Sequence, residues 1–74
     1  MIMEVGRVCR KLKGKDADTY CVVVEKADKN HVLVDGKGMK RAKTNILHLE
    51  PLPKVLDIKK GATTEDVVKQ LEKI

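Results

Sequence analysis

Residues 19–25 read Thr19-Tyr20-Cys21-Val22-Val23-Val24-Glu25, and this stretch decides the fold class. Branched apolar side chains pack well on the pleated surface of a sheet, so the run predicts a β-strand. Its apolar middle is unbroken instead of alternating, which predicts that both faces of the strand are covered. Tyr20 is the only aromatic residue of the chain, so valine, leucine and isoleucine have to fill the core.

Four further strands are predicted around this segment. One precedes it, from Val5 to Leu12, and three follow it, at residues 31–34, 39–44 and 48–50. Residues 45–47 are expected to form a single helical turn before the last strand. Five short strands joined by tight turns predict a mostly β fold, a small barrel that is closed or nearly closed.

Turn signals separate these strands, at Gly14, residues 27–30 and Asp35-Gly36. Pro51 and Pro53 are expected to stop the fifth strand, because proline cannot donate a hydrogen bond to a sheet ladder. The barrel is therefore predicted to span about residues 1–53 of a single domain, 1–74, with a connector and a short C-terminal α-helix at about 54–74.

The C-terminal segment carries the pattern of an amphipathic helix. Thr63 can cap its N-terminus, with Asp66 three residues later in a capping-box-like arrangement. The apolar residues fall on one stripe, formed by Val67, Val68, Leu71 and Ile74. Because isolated helices this short rarely persist, we expect the helix to pack over the second apolar face of the strand at 19–25.

Charge is distributed unevenly along the chain. The 16 Lys and Arg residues against 11 Asp and Glu give a net charge of +5. Within residues 1–15 only Glu4 opposes five cations, and residues 36–49 contain no carboxylate. Two basic clusters on a small domain indicate a polyanionic partner. The alternative is that the lysines only keep a small protein dissolved.

The cysteines and histidines do not have the spacing of a metal or catalytic site. Structural zinc usually uses close pairs such as C-x-x-C, whereas Cys9 and Cys21 are separated by a whole turn. We expect them to be packed thiols on adjacent strands, with a metal site or a disulfide as the alternatives. The chain contains no serine, which excludes a Ser–His–Asp triad. We therefore expect no enzyme, no cofactor and no small-molecule substrate.

The apolar runs are too short for a transmembrane helix, and no signal-peptide pattern opens the chain. We expect a soluble, intracellular protein that makes no membrane contact and is a monomer when isolated.

RNA is the polyanion that the residue pattern favours. Lysine and arginine neutralise phosphates, and the glycines of residues 36–45 allow a sugar-phosphate strand to approach closely. Aromatic stacking platforms are lacking apart from Tyr20, so we expect recognition of a folded RNA by its shape and phosphates. The alternative for any single lysine is solvation. The predicted RNA-binding residues are Arg7, Lys11, Lys13, Gly14, Lys15, Lys37, Lys40, Arg41, Lys43, Asn45 and His48.

The stretch from Glu4 to Gly36 resembles a KOW motif, a strand–turn–strand unit whose key glycine is matched by Gly14. The continuation is similar to the archaeal and eukaryotic family of large-subunit ribosomal protein fourteen. The matching residues are Lys40-Arg41, the block from Asn45 to Pro51, Ile58 and Lys60-Gly61-Ala62.

This resemblance implies an SH3-like barrel with a structural role in the large subunit of cytoplasmic ribosomes, in contact with ribosomal RNA and neighbouring ribosomal proteins. Eukaryotic members carry a long basic C-terminal extension, so the compact form implies an archaeal source. The alternative function is a freestanding KOW or SH3-like module that binds nucleic acid or an elongation complex.

Overall fold

The computed structural model describes residues 4–12 and 18–72. Five strands, one turn of 3₁₀ helix and one α-helix follow in the predicted order. They are β1 Arg7–Lys11, β2 Tyr20–Asp28, β3 His31–Gly36, β4 Met39–Asn45, the 3₁₀ turn Ile46–His48, β5 Leu49–Val55 and α1 Thr64–Leu71. The strands form one antiparallel sheet in the order β4-β3-β2-β1-β5, curved into a barrel-like domain. The prediction of a mostly β, five-stranded fold with a short C-terminal helix is confirmed.

The valine-rich centre of β2 is buried on both faces, as its unbroken apolar run predicts. Cys21 and Val23 belong to an inner cluster, inside the curve of the sheet, together with residues of β1, β3 and β5. Val22 and Val24 point the other way and join an outer cluster that contains Val67 of α1. Successive side chains of a strand point to opposite faces, so one run of four residues supplies both clusters. The predicted packing of the helix over this apolar face is confirmed, with the backbone of α1 lying nearest to β3.

Helix α1 begins where the sequence predicts. The side-chain oxygen of Thr63 accepts a hydrogen bond from the backbone N–H of Asp66 at 3.3 Å, which satisfies one of the otherwise unpaired donors of the first turn. Val67 is fully buried and Leu71 packs against the outer cluster. The last member of the predicted apolar stripe, Ile74, lies outside the described residues.

Two details of the strands differ from prediction. Asp35-Gly36 is not the turn after β3: both residues belong to the strand, and the turn falls on Lys37 and Gly38. Asp35 is fully buried because its carboxylate is bound by groups from β4 and α1.

The fifth strand also continues through both of its prolines to Val55. The N–H of Leu12 donates to the carbonyl of His48 at 2.8 Å. The backbone N–H and C=O groups at even-numbered positions of β5 therefore point towards β1. Pro51 and Pro53 therefore turn their nitrogens towards the outer edge of the sheet, where no ladder bond is lost.

The two cysteines lie opposite each other on β1 and β2, and both are free thiols with no exposed surface. The expectation of packed thiols on adjacent strands is confirmed. Burial raises the pKa of the Cys9 thiol to about 11 and the pKa of the Cys21 thiol to about 12, from an ordinary value of 9.0.

These buried thiols predict a loss of stability at high pH. The folded state holds the thiol protons more tightly than the unfolded chain, so the stabilisation is complete below about pH 9 and falls as the pH rises towards 11. Each thiol should lower the free energy of unfolding by up to about 1.4 kcal/mol per pH unit in this window. Urea unfolding of the wild type and of Cys9→Ala/Cys21→Ala at pH 7 to 10.5 measures this. A variant that loses stability with pH as steeply as the wild type would contradict the assignment.

Candidate nucleic-acid interface

The predicted cations of β1 are held within the fold. Arg7 donates from Nη1 to the carbonyl of Leu52 at 2.9 Å and forms a 2.6 Å ion pair with Glu4, which ties β1 to β5. Lys11 ends β1 opposite Leu49 of β5 and is only partly exposed. The other members of this first cluster, Lys13, Gly14 and Lys15, lie outside the described residues.

The 3₁₀ turn brings distant parts of the chain together. The N–H of Ile46 donates to the carbonyl of Asn30, in the turn between β2 and β3, at 3.0 Å. The carbonyl of His48 accepts from the N–H of Leu12, at the end of β1, at 2.8 Å. A turn of three residues therefore joins two segments that are 18 positions apart in sequence.

We call the resulting surface the basic end. It consists of Lys11, Leu12, Lys29, Asn30, Lys43, Asn45, Leu47 and His48. Asp18, which follows the undescribed segment 13–17, lies beside it, because its N–H donates to the carbonyl of Lys11 at 2.7 Å. Both described residues that flank this segment are thus at the basic end.

Strand β4 divides the second predicted cluster instead of concentrating it. Lys43 and Asn45 are at the basic end, where Asn45 pairs with His31. Lys37, Lys40 and Arg41 lie at the opposite end of β4, beside the β3–β4 turn. Because a strand rises about 3.3 Å per residue, Lys40 and Lys43 are about 10 Å apart along it. The eight predicted residues that the structure describes therefore do not form one continuous surface.

Arg41 supports the fold. Its Nε donates to Asp35 at 3.1 Å, and its Nη2 donates to the carbonyl of Ala62. The same Asp35 carboxylate accepts from the N–H of Gly36 at 2.8 Å and from the hydroxyl of Thr64 at 2.5 Å. This buried carboxylate thus links the β3–β4 hairpin to the first turn of α1, and the guanidinium of Arg41 completes the link.

Asn45 also has a structural role, as the cap of the 3₁₀ turn. Its side-chain oxygen accepts a hydrogen bond from the N–H of Leu47 at 2.9 Å. The 3₁₀ turn exposes Leu47 at the surface, where this residue is 78% exposed, next to the partly exposed His48. The predicted single helical turn is present one residue later than expected, and its cap is one of the residues predicted to contact RNA.

Carboxylates lie close to several of the cations. Lys43 Nζ is 3.3 Å from Asp28 Oδ2, and Lys37 Nζ is 3.5 Å from Glu72 Oε1. The absence of acidic residues between 36 and 49 is therefore a property of the sequence that the folded surface does not share. Among the described residues of the two predicted clusters and the β2–β3 turn, Lys29 and Lys40 are exposed lysines with no ion pair.

Asp28 organises the charges beside the β2–β3 turn. One carboxylate oxygen pairs with His31 Nδ1 at 2.9 Å and accepts from the N–H of Asn30 at 2.8 Å. These two hydrogen bonds and the bond to Lys43 hold the pKa of Asp28 well below its usual range. The carboxylate is therefore ionised at neutral pH and keeps Lys43 next to the turn that carries Lys29.

Lys29 was not singled out from the sequence. The predicted basic clusters consist of cations that are close together along the chain. Lys29 belongs to neither cluster, because it lies between the acidic residue Asp28 and the neutral residue Asn30. Its place at the basic end depends on the hydrogen bond between Ile46 and Asn30, which no local pattern announces.

Within residues 4–12 and 18–72, no group of three His, Cys, Asp or Glu side chains is placed to hold a metal ion. Within the same residues, none of the helices has the length and apolar character needed to cross a membrane.

No protein-family model matches the chain. Curated proteins are similar to it over 95% of its length. The chain is 53% identical to large ribosomal subunit protein eL14 of Saccharolobus solfataricus and covers 77% of that protein. It is 51% identical to the protein of the same name from Saccharolobus islandicus, again covering 77% of it. With large ribosomal subunit protein eL14 of Methanococcus vannielii it shares 47% identity and covers 90% of that relative.

Proposed function

Because this chain belongs to the family of large ribosomal subunit protein eL14, we propose that it is a structural constituent of the large ribosomal subunit, in the ribosomes of the cytoplasm. In this role it binds ribosomal RNA, contacts neighbouring ribosomal proteins and catalyses no reaction. The observation that carries the proposal is the identity of about half of all residues over 95% of the chain. A match of this extent includes the connector and α1, which a resemblance confined to a KOW motif would leave out.

The basic end is the surface that we propose for RNA binding. It gathers Lys11, Lys29, Lys43 and His48 on loops and strand ends, where their side chains can reach phosphates. Lys13, Gly14 and Lys15 follow directly after Leu12, so we include them in this interface. Each cation that replaces condensed counterions on the RNA adds affinity that does not depend on sequence.

The remaining predicted residues have other places in the proposal. Arg7, Arg41 and Asn45 keep the strands, the helix and the 3₁₀ turn in position. Lys37 and Lys40, at the far end of β4, are available to a second stretch of RNA. The two ends are separated, which fits a folded RNA better than a single extended strand.

Removal of two lysines of the basic end should weaken RNA binding. We expect Lys29→Ala/Lys43→Ala to bind large-subunit ribosomal RNA severalfold more weakly at about 100 mM salt. The slope of log affinity against log salt should become shallower by about one unit per lost phosphate contact. Arg41 is left in place because its replacement would also disturb α1. Filter binding at several salt concentrations measures both quantities.

The matched control is Lys59→Ala/Lys69→Ala, which removes the same charge from exposed positions of the connector and α1. It should change the affinity little. If both double variants weaken binding equally, only net charge matters and the basic end is not the interface. Sedimentation of a tagged copy with large subunits, with and without magnesium, tests the structural role separately.

A further inference from the structure

A groove with a volume of about 720 Å³ opens on the outer face of the sheet, next to the C-terminal end of α1. Its floor is apolar and is formed by Val8 of β1, Leu52 of β5 and Leu71 of α1. Helix α1 covers the outer face at Val22 and Val24, whereas Tyr20, at the start of β2, is 57% exposed. The groove is the part of this apolar face that the helix leaves open.

The walls of the groove combine one aromatic ring, two lysines and the carboxylate of Glu72. Tyr20 lines it from β2, Lys54 from β5 and Lys37 from the β3–β4 turn. Lys54 is exposed, with no ion pair among the described residues, and Lys37 Nζ lies 3.5 Å from the exposed Glu72. The apolar floor and the aromatic ring can contact the flat base of a nucleotide, and the lysines at the rim can contact its phosphate.

We propose that this groove binds one unpaired nucleotide of RNA, with its base against the ring of Tyr20 and its phosphate near Lys54 and Lys37. The inference rests on the proposed RNA-binding function and adds a base contact to a surface otherwise expected to read phosphates. Unpaired bases of RNA are commonly stacked on aromatic side chains. The volume is within the range of about 300–1,000 Å³ that is usual for small-ligand sites. An apolar side chain of a protein would fit the floor but would leave Lys54 without a counterpart.

The sequence provides a direct signal for this contact. Tyr20 is the only tyrosine and the chain has no tryptophan, so its intrinsic fluorescence reports on the groove alone. We expect single-stranded hexa-adenylate RNA to quench this fluorescence in a saturable titration. A hexamer of abasic ribose phosphates has the same charge but no bases, and it should bind without quenching. Equal quenching by the two oligomers, or none by either, would overturn the base contact.

Two pairs of variants test the ring and the charge by anisotropy of labelled hexa-adenylate. Tyr20→Leu keeps apolar contact without a π face and should weaken binding about tenfold, whereas Tyr20→Phe should bind within about twofold of wild type. Lys54→Gln should weaken binding and reduce its salt dependence, and Lys59→Gln, which lies outside the groove, should do neither.

If Tyr20→Leu and Tyr20→Phe bind the hexamer equally well, the groove does not hold a base, and a neighbouring protein becomes its occupant. Such a result leaves the proposed function intact as long as Lys29→Ala/Lys43→Ala still weakens binding of ribosomal RNA. The fluorescence titration uses the wild-type chain, so it decides the question even if a variant folds poorly.

Discussion

Asp35→Ala is expected to lower the free energy of unfolding by at least about 3 kcal/mol, because three hydrogen bonds to a buried charged group are lost, each usually worth about 1.5–3 kcal/mol. Asp35 is fully buried, and its carboxylate accepts from Gly36, Arg41 and Thr64. Without it, the Arg41 guanidinium, the Thr64 hydroxyl and a backbone N–H lose their partner together. Small domains have only about 5–15 kcal/mol of stability, so a large share of the chains should be unfolded at moderate temperature.

Urea unfolding followed by circular dichroism measures this loss, and Asp57→Ala, which removes an exposed carboxylate from the connector, is the matched control. Thr64→Val removes a single hydrogen bond and should cost about 1 kcal/mol. In Asp35→Ala/Arg41→Ala the stranded cation is gone, so the loss should be smaller than the sum of the two single losses. Additive losses would show that Asp35 and Arg41 do not act as a unit.

Gly6→Ala is expected to destabilise the chain by at least about 3 kcal/mol, through two effects at one position. Gly6 has a φ of +96°, a conformation that L residues with a side chain rarely adopt. A Cβ built there would also lie 2.2 Å from the carbonyl oxygen of Leu56, so the backbone would have to move. The Gly6 carbonyl accepts the N–H of Leu56 at 2.7 Å, and that movement would pull Leu56 away from the outer cluster.

Gly38→Ala separates the two effects. Gly38 also has a positive φ, +76°, but a Cβ there would meet no atom within 4 Å. It should therefore cost only about 1–2 kcal/mol, the usual penalty of the left-handed conformation for a residue with a side chain. If thermal unfolding shows equal losses of stability for the two variants, the close approach of Gly6 to the Leu56 carbonyl does not contribute to the cost of the Gly6 substitution.

The parts of the fold that were predictable are those whose signal is local. The run from Cys21 to Val24 predicted a strand covered on both faces, and the structure places its four side chains in two clusters. Thr63 and Asp66 predicted the start of α1 for an equally local reason, since the cap hydrogen bond spans three residues.

What the sequence misplaced depends on distant contacts. Asp35 next to a glycine is typical of a turn. In the structure its buried carboxylate accepts a hydrogen bond from the hydroxyl of Thr64, 29 positions later, and β3 continues through Asp35 to Gly36. Pro51 and Pro53 were expected to end β5, yet both are accommodated because the strand lies at the edge of the sheet. Edge position is a property of the assembled sheet, and a window of sequence does not contain it.

The candidate interface shows the same division. A count of lysines and arginines along the chain predicted basic character, but it could not predict that Asp28 lies 3.3 Å from Lys43 or that Arg41 donates to the buried carboxylate of Asp35. Lys29 joins the basic end only through the backbone contact of the 3₁₀ turn. The fold therefore decides which of the cations in the composition remain exposed and unpaired at the surface.

The two outer strands have a consequence for copies that are made before their assembly site is ready. Such orphan copies meet one another at high local concentration, and an exposed strand is a template on which a second chain can pair. Here the edge of β5 lacks backbone N–H donors at Pro51 and Pro53. Pairing of β4 with a second copy would bring Lys40 and Lys43 close to the lysines of that copy. Neither edge of the sheet is therefore a favourable template for pairing with a second copy.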